Sequence, residues 1–546
     1  MTLKRTRLKS ALPQTATWTV SGKRPSTADA TSNEPYAPTN SAGVGSARAV
    51  HTPLTTTSKR RLQRRLPTLD VLQQPIQASV RKVFDLRRFL LVLLLTAGVM
   101  VLPQPVDLSP AGHRALALFV FTGAILALEP APLPIAALMV PIGQIALGID
   151  KVNGAFAPFG SPVLFLILGS LFLAEALRKH GLTRRLALYA ILRSQGNFRF
   201  LVLGLMLITS GLSMWVLNTA TTAVLIPVAI TIAQRVQRQE VAQRALALLI
   251  ICIAYSSSIG AIATIMGSGE NAIASGLLDK AIPSGFGFLD WMKLGLPVVL
   301  ILLPLTWYLL FQAIRLPEIQ IDTEPVAKEL ERSGGLSGPE REIVLVMLIS
   351  VALWIAGSTV EAWLQLPATL LSSAVVAIGA VALLSIEEII DWNDLKGVNW
   401  GVFFVIGAGL TLGDALDKTG ASLWFAAMLA PLLQPLPYIA ILTILVFTCF
   451  SLTQFMNNVT LGAILAPILI TLGEASNIPP VRLLVPAIFA LALAFMLPGA
   501  SARMTLVAVT GAVSQKDMVR AGLIVGIPSA IVILLFFYLS SQFGMI

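Results

Sequence analysis

The sequence predicts an all-α polytopic membrane protein: about eleven transmembrane helices and two re-entrant hairpins, arranged as an inverted repeat. Three observations predict it. Hydrophobic residues make up 55% of the 546-residue chain and charged ones only 12%, with a mean hydropathy of +0.80, far outside the balance of a soluble fold. Apolar runs follow one another from residue 88 to residue 543. Two of those runs are too long for one straight span and carry Asn and Thr at their middle, at matched places in the two halves of the chain.

Residues 1–85 are basic, rich in Ser and Thr, and include "SKRRLQRR" at 58–65. Residues 1–88 hold sixteen Lys or Arg against four Asp or Glu, so this segment carries essentially all of the chain's net charge of +11. Such a composition buries no core. It fits a disordered cytoplasmic tail or an organellar transit peptide, and a basic tail is no argument for a nucleic-acid partner. Cys252 and Cys449 lie in apolar runs without paired spacing, and the histidines number three; neither a disulfide framework nor a zinc site is implied.

After the tail, apolar spans are expected near 88–106, 113–128, 132–148, 158–178, 199–234, 243–282, 292–314, 343–363, 367–385, 398–415, 437–473, 482–513 and 520–543. The long polar connection 316–341 is rich in acids and reads as a cytoplasmic linker between a first half, 86–315, and a second, 342–546. An internal repeat supports the division. "AEALRKHGL" (174–182) matches "GDALDKTGA" (413–421), and "WVLNTATTAVLIP" (215–227) matches "FMNNVTLGAILAP" (455–467). The offsets, 239 and 240, are nearly equal.

The run from Phe200 to Gln234 has no charged residue. As one helix it would be roughly 52 Å long, against a hydrocarbon core of about 30 Å. Arginines flank it on both sides, among them Arg193, Arg199, Arg235 and Arg238, and the positive-inside tendency places both ends in the cytoplasm. The segment 199–234 is therefore expected to enter and turn back. Its partner 437–473 would enter from the other side, so that the two tips meet near the midplane. Non-helical backbone is tolerable at that depth where it lines a cavity or is buried in protein.

The tips carry the chemistry. Helices beginning just after Thr219 and just after Val459 would present unpaired N–H groups and a positive dipole end, which favour an anion. The arms that end before them present free carbonyls, which favour a hard cation such as sodium. Each half also has a second interruption, "IMGSGENAIA" (265–274) and "MLPGASARMTL" (496–506). There Ser268 and Ser501 offer hydroxyls to a ligand, and the carbonyls near Gly267 and Ala500 offer oxygens to a cation. Glu270 and Arg503 stand two residues further on, in equivalent places. An ionisable side chain at membrane depth is a functional candidate: Arg503 contacts an anionic substrate, or it pairs with Glu270. Glu175 and Asp414 read as helix-end anchors.

At these residues, and in "LGSLFLAEALRKHGL", "NWGVFFVIGAGLTLGDALDKTG" and "LPGASARMTLVAVTGAVSQKDMVRAGL", the chain resembles the divalent anion/sodium symporter family over about residues 88 to 543. The resemblance implies a secondary active transporter for a small, divalent anion such as a dicarboxylate or sulfate. Coupling would be to sodium and motion by an elevator, with no organic cofactor and a homodimeric scaffold in the bilayer. It implies one sodium site at Ser213, Asn218 and the Gly267 carbonyl and a second at Thr453, Asn458 and the Ala500 carbonyl. Substrate would lie between Asn218, Thr219 and Ser268 on one side and Asn457, Asn458, Ser501 and Arg503 on the other.

The chain departs from the family pattern at Leu217, where the first motif has Ser, and at Asn457-Asn458-Val459, where the second has Ser-Asn-Thr. The Pro-Pro pairs become Gly269-Glu270 and Ala502-Arg503. A sodium-independent anion exchanger is the alternative. A channel fits poorly, because each hairpin tip closes access from one side. An enzyme fits worse still, since no HExxH, P-loop or nucleophile with a base in reach is present. The expected location is a bacterial inner (plasma) membrane, with the plastid envelope as the alternative.

Overall fold

Backbone N–H and C=O groups in hydrocarbon have no water to bond, so each apolar run must satisfy them within itself as helix. The computed structural model describes residues 84–546 apart from 237, 238, 284, 315, 322 and 434, and there is no named strand among them. The tail reading, transit peptide or disordered segment, falls almost wholly outside the described residues. Short polar side chains start many of the helices. Asp85 accepts from the backbone N–H groups of Arg87 and Arg88, Ser109 from that of Gly112 at 2.9 Å, and Asn197 from that of Arg199 at 2.9 Å. Each occupies donors that the first helical turn leaves unpaired.

The helices recur in one order, at an offset of 238 to 241 for the first five pairs and of 233 and 227 for the last two. Pro162–Lys179, Leu182–Arg193, Phe198–Ser213, Asn218–Gln234, Gln239–Ala261, Gly269–Ala281 and Phe288–Ala313 correspond to a second series. That series is Trp400–Thr419, Ala421–Leu433, Tyr438–Leu452, Asn458–Ala475, Pro480–Leu491, Ala502–Val509 and Gln515–Gln542. Backbone geometry recurs with it. Gly181 and Gly420 turn at φ 73° and 72°, left-handed values that glycine adopts without strain. Leu217 and Asn457, which precede the inner hairpin helices, have φ/ψ of −51°/132° and −59°/131°. Ser268 and Ser501 are extended at −156°/149° and −159°/155°.

Packing obeys the same symmetry. Pro162–Lys179 lies against Ser373–Ile386, while its counterpart Trp400–Thr419 lies against Leu133–Ala146. Lys179 Nζ reaches Asp394 at 2.6 Å, and its counterpart Lys418 reaches Asp150 at 2.8 Å. The connecting helix Glu324–Ser333 sits beside Leu182–Arg193. It is held there by Arg184–Glu329 at 2.6 Å and by Arg185, which pairs with Glu340 at 3.1 Å and donates to the Gly334 carbonyl at 2.8 Å.

Among the described residues seven helices are long and apolar enough to cross a membrane, or eight if the bent pair Val152–Gly160 and Pro162–Lys179 counts as one span. Length alone does not yield the expected eleven, because pieces such as Pro480–Leu491 and Ala502–Val509 are each too short for about 30 Å. Leu182–Arg193 was not anticipated as a helix at all: its polar face, Arg184 and Arg185 included, hides it from a search for apolar runs.

Candidate functional site

Both hairpins break where the apolar run becomes polar. Phe198–Ser213 ends, residues 214–217 turn, and Asn218–Gln234 begins. Neighbouring polar side chains fix this tip. Ser213 Oγ donates to the Ser257 carbonyl at 2.6 Å, Thr264 Oγ1 donates to the Met214 carbonyl, and Thr222 Oγ1 bonds Ser257 Oγ at 2.7 Å. Gly260 lets the two backbones come this close, since a Cβ there would lie 2.3 Å from the Ser210 carbonyl oxygen. On the other flank Trp215 stacks on Trp354, ring centres 5.8 Å apart. Asn218 is buried, and its Oδ1 accepts from the Thr219 hydroxyl at 3.2 Å.

The two tips differ in one respect that bears on anions. Leu217 cannot cap, and among the described residues no side chain is seen to accept from the first-turn N–H groups of Asn218–Gln234. At the second tip Asn457 does cap, accepting from the Val459 N–H at 2.9 Å. The first tip therefore keeps its donors open.

Asn458 Nδ2 donates to Glu270 Oε1 at 2.6 Å, tying the second tip to the first broken helix. Gly462 makes room, since a Cβ there would meet Glu270 Cβ at 2.7 Å. The pairing crosses between halves: the inner helix of each hairpin packs against the short helix of the opposite half, Asn458–Ala475 on Gly269–Ala281 and Asn218–Gln234 on Ala502–Val509. The broken helices meet at their breaks, where the Tyr255 and Phe495 rings stack 4.1 Å apart and the Tyr255 hydroxyl donates to the Phe495 carbonyl at 3.0 Å.

Arg503 is 1% exposed, and its Nη2 donates to the carbonyls of Ala492 at 2.9 Å and Ala494 at 3.3 Å. Among the described residues no ion pair within 4.0 Å joins it to Glu270. The expected alternatives for Arg503 thus gain a third, the unpaired carbonyls of its own broken helix.

A cavity of about 660 Å³ opens beside the first tip. Its wall includes Leu217, Thr219 and Ala220 of the tip, Ala502 and Thr505 of the second broken helix, and Glu175, Arg178 and Asn399. Of the expected ligand-binding residues, Thr219 lies on this wall, Asn218 is its neighbour behind it, and Ser501 adjoins Ala502. Ser268, Asn457, Asn458 and Arg503 are not on it. Of the expected cation ligands, Ser213 and Thr453 both donate to break carbonyls, Ser257 and Leu491 respectively, the latter at 2.8 Å; Gly267 and Ala500 lie in the one-turn 3₁₀ segments at the breaks.

Glu175, read from sequence as an anchor, lines the cavity and accepts from Arg178 Nε at 2.7 Å. Its counterpart Asp414 pairs with Lys418 at 2.7 Å and Lys280 at 3.5 Å. The sequence carries only a partial signal for Glu175 and Arg178, an apolar helix that closes on an acid and a base three residues apart; it does not show that they face a cavity. At the periphery, the Lys179 ammonium and the Asp391 N–H hold the Asp394 carboxyl below its ordinary range, and Lys418 does the same for Asp150.

The chain is 30% identical to an uncharacterized transporter of Haemophilus influenzae over 440 residues, covering 79% of this chain and 93% of that one. It is 28% identical to the sodium-dependent dicarboxylate transporter SdcS of Staphylococcus saprophyticus over 467 residues, 82% of this chain and 89% of that one. In fold it resembles the YdaH transporter of Alcanivorax borkumensis (TM-score 0.50, 14% identity, 84% of this chain and 97% of that one). It resembles MtrF of Neisseria gonorrhoeae similarly (TM-score 0.52, 15% identity, 83% and 93%). The family model described as the sodium:sulfate symporter transmembrane region matches residues 85–544. With nearly the whole helical part matched, the chain belongs to the sodium:sulfate symporter family, a family of membrane transporters rather than enzymes.

Proposed function

We propose that this protein carries a small divalent oxyanion, a dicarboxylate or sulfate, across the plasma membrane together with sodium. The observation that carries the reading is the uncapped helix start at Asn218, with Leu217 and Thr219 on the wall of the 660 Å³ cavity. Open N–H groups and a positive dipole end on the wall of a cavity attract an anion without a buried cationic side chain. Arg178 also lines the cavity, with its charge paired to Glu175. The name of the staphylococcal relative supports dicarboxylate and sodium, and the family name supports sulfate and sodium.

In the mechanism we infer, Asn218 and Thr219 hold the anion from the first half and Ser501 from the second, while oxygens at the first break hold sodium. The hairpins and broken helices then move as one body against the remaining helices, an elevator in a homodimeric frame. Uptake into proteoliposomes, with labelled succinate and labelled sulfate and with or without an inward sodium gradient, tests this. Sodium-driven accumulation of one of them is the expected result. Uptake that ignores sodium but needs internal anion would support the exchanger, a reading favoured by one observation, the fixed charge of Arg503 among backbone carbonyls.

A further inference from the structure

We propose that the Arg503 guanidinium is the resident cation of the second half, so that this half binds no sodium and each protomer binds one fewer sodium than two equivalent repeats would bind. The inference rests on the proposed sodium-coupled function and specifies its ion site.

A break in a membrane helix frees carbonyl oxygens that need a donor or a cation. At the second break each of five consecutive oxygens has a protein donor. Thr453 serves Leu491 at 2.8 Å, Gln454 Nε2 serves Leu493 at 3.0 Å, and Tyr255 serves Phe495 at 3.0 Å. Ala492 receives both the Ser258 hydroxyl and Arg503, and Ala494 receives Arg503. The charged donor is the one that lies between the ends of the two half-helices, where the C-terminal dipole end of Pro480–Leu491 favours positive charge.

The first break is served by neutral donors alone. Asn271 Nδ2 donates to Ala261 at 2.8 Å and to Thr264 at 2.9 Å, and the Trp291 indole donates to Ile262 at 2.9 Å. In sequence Ser268 corresponds to Ser501, so Glu270 stands in the place of Arg503. The unpartnered groups divide accordingly. Around the first break the buried Ser268 hydroxyl and Glu270 carboxylate have each other as partners, and Asn271 Oδ1 is a buried oxygen without a hydrogen-bond partner; around the second, the unpartnered atom of Arg503 is a donor, its Nε. The Arg503 charge is felt by Glu270 as well, but its hydrogen bonds go to carbonyls of the second break, which thus has a cation built in, while the first break has a carboxylate in the equivalent place. A mobile sodium beside a buried guanidinium would meet like charge in a medium of low dielectric, and Arg stays protonated there.

Equilibrium binding of ²²Na⁺ to the purified full-length protein, counted per protomer without substrate, tests this. Wild type should bind one sodium, and Arg503→Ala should bind two. Arg503→Gln keeps an amide donor for Ala492 and Ala494 without the charge, guards against misfolding of the alanine variant, and should also bind two. Arg503→Lys should stay at the wild-type number. Two sodium ions on wild type, or the same number on wild type and a folded Arg503→Gln protein, would overturn the inference. The outcomes separate it from the function it rests on: a wild type without sodium whose Arg503→Gln variant gains one would support the built-in cation and count against sodium coupling. No sodium on either protein would overturn both.

Discussion

The amide of Asn458 and the carboxylate of Glu270 stand 2.6 Å apart, one at the tip of the second hairpin and the other at the break of a helix from the first half. Glu270 is fully buried, and the other side-chain donor beside it is the Ser268 hydroxyl. Asn458→Ala should therefore do more than empty a tip: it takes an amide donor from a buried carboxyl group. We expect a stability loss of about 1–3 kcal/mol, read as a lower melting temperature in detergent, together with loss of uptake. Adding Glu270→Gln should return much of the stability and none of the uptake. A single mutant with unchanged melting temperature would show that the pair contributes nothing to the fold.

Asn218→Ala should behave differently, because its side chain supports Thr219 beside the cavity rather than a buried charge. Uptake should be abolished with the melting temperature close to wild type. Near-normal uptake would reduce Asn218 to helix packing.

Leu217 leaves the first tip uncapped, so Leu217→Ser supplies an acceptor for its N–H groups. The cap should stabilise the protein by about 0.5–2 kcal/mol while competing with the anion for the same donors, raising the substrate KM. A variant with higher stability and an unchanged KM would separate those N–H groups from anion binding.

The cross-half pair Lys179–Asp394 gives a pH-dependent prediction. Asp394 is held below its ordinary pKa, so its contribution is present above the unfolded value of about 3.9 and is lost as pH falls through the lower folded value. The melting temperature of Asp394→Asn should lie below that of wild type at pH 7, by an amount worth no more than about 1 kcal/mol for so exposed a pair. The gap should close below about pH 4. A gap that persists there would assign it to the helix start at Asp391 instead.

Much of this architecture was legible because hydrocarbon enforces a short vocabulary. A charge-free run of hairpin length with Asn and Thr at its middle fixes the break, and the structure breaks between Ser213 and Asn218 and again between Leu452 and Asn458. The shared Gly-then-Ser pattern of the two interruptions, with Ser268 and Ser501 each two residues earlier, places Glu270 and Arg503 in equivalent positions from sequence. Which partner each takes was not legible. Arg503 bonds carbonyls nine and eleven residues back in its own broken helix, and Glu270 bonds an amide 188 residues away. Both choices depend on how the two breaks cross, which no periodicity encodes. The cavity roles of Glu175 and Arg178 were hidden for a related reason: a charged pair at the end of an apolar helix reads as an interface anchor until the facing helix, here Ala502–Val509, is known.

The most direct measurement is initial-rate uptake of labelled succinate and labelled sulfate into proteoliposomes holding wild type or Asn218→Ala, with sodium outside or replaced by choline. The account predicts that wild type accumulates one of these anions only when sodium is outside, and that Asn218→Ala, equally folded, accumulates neither. Equal uptake in choline, or full uptake by Asn218→Ala, would contradict it.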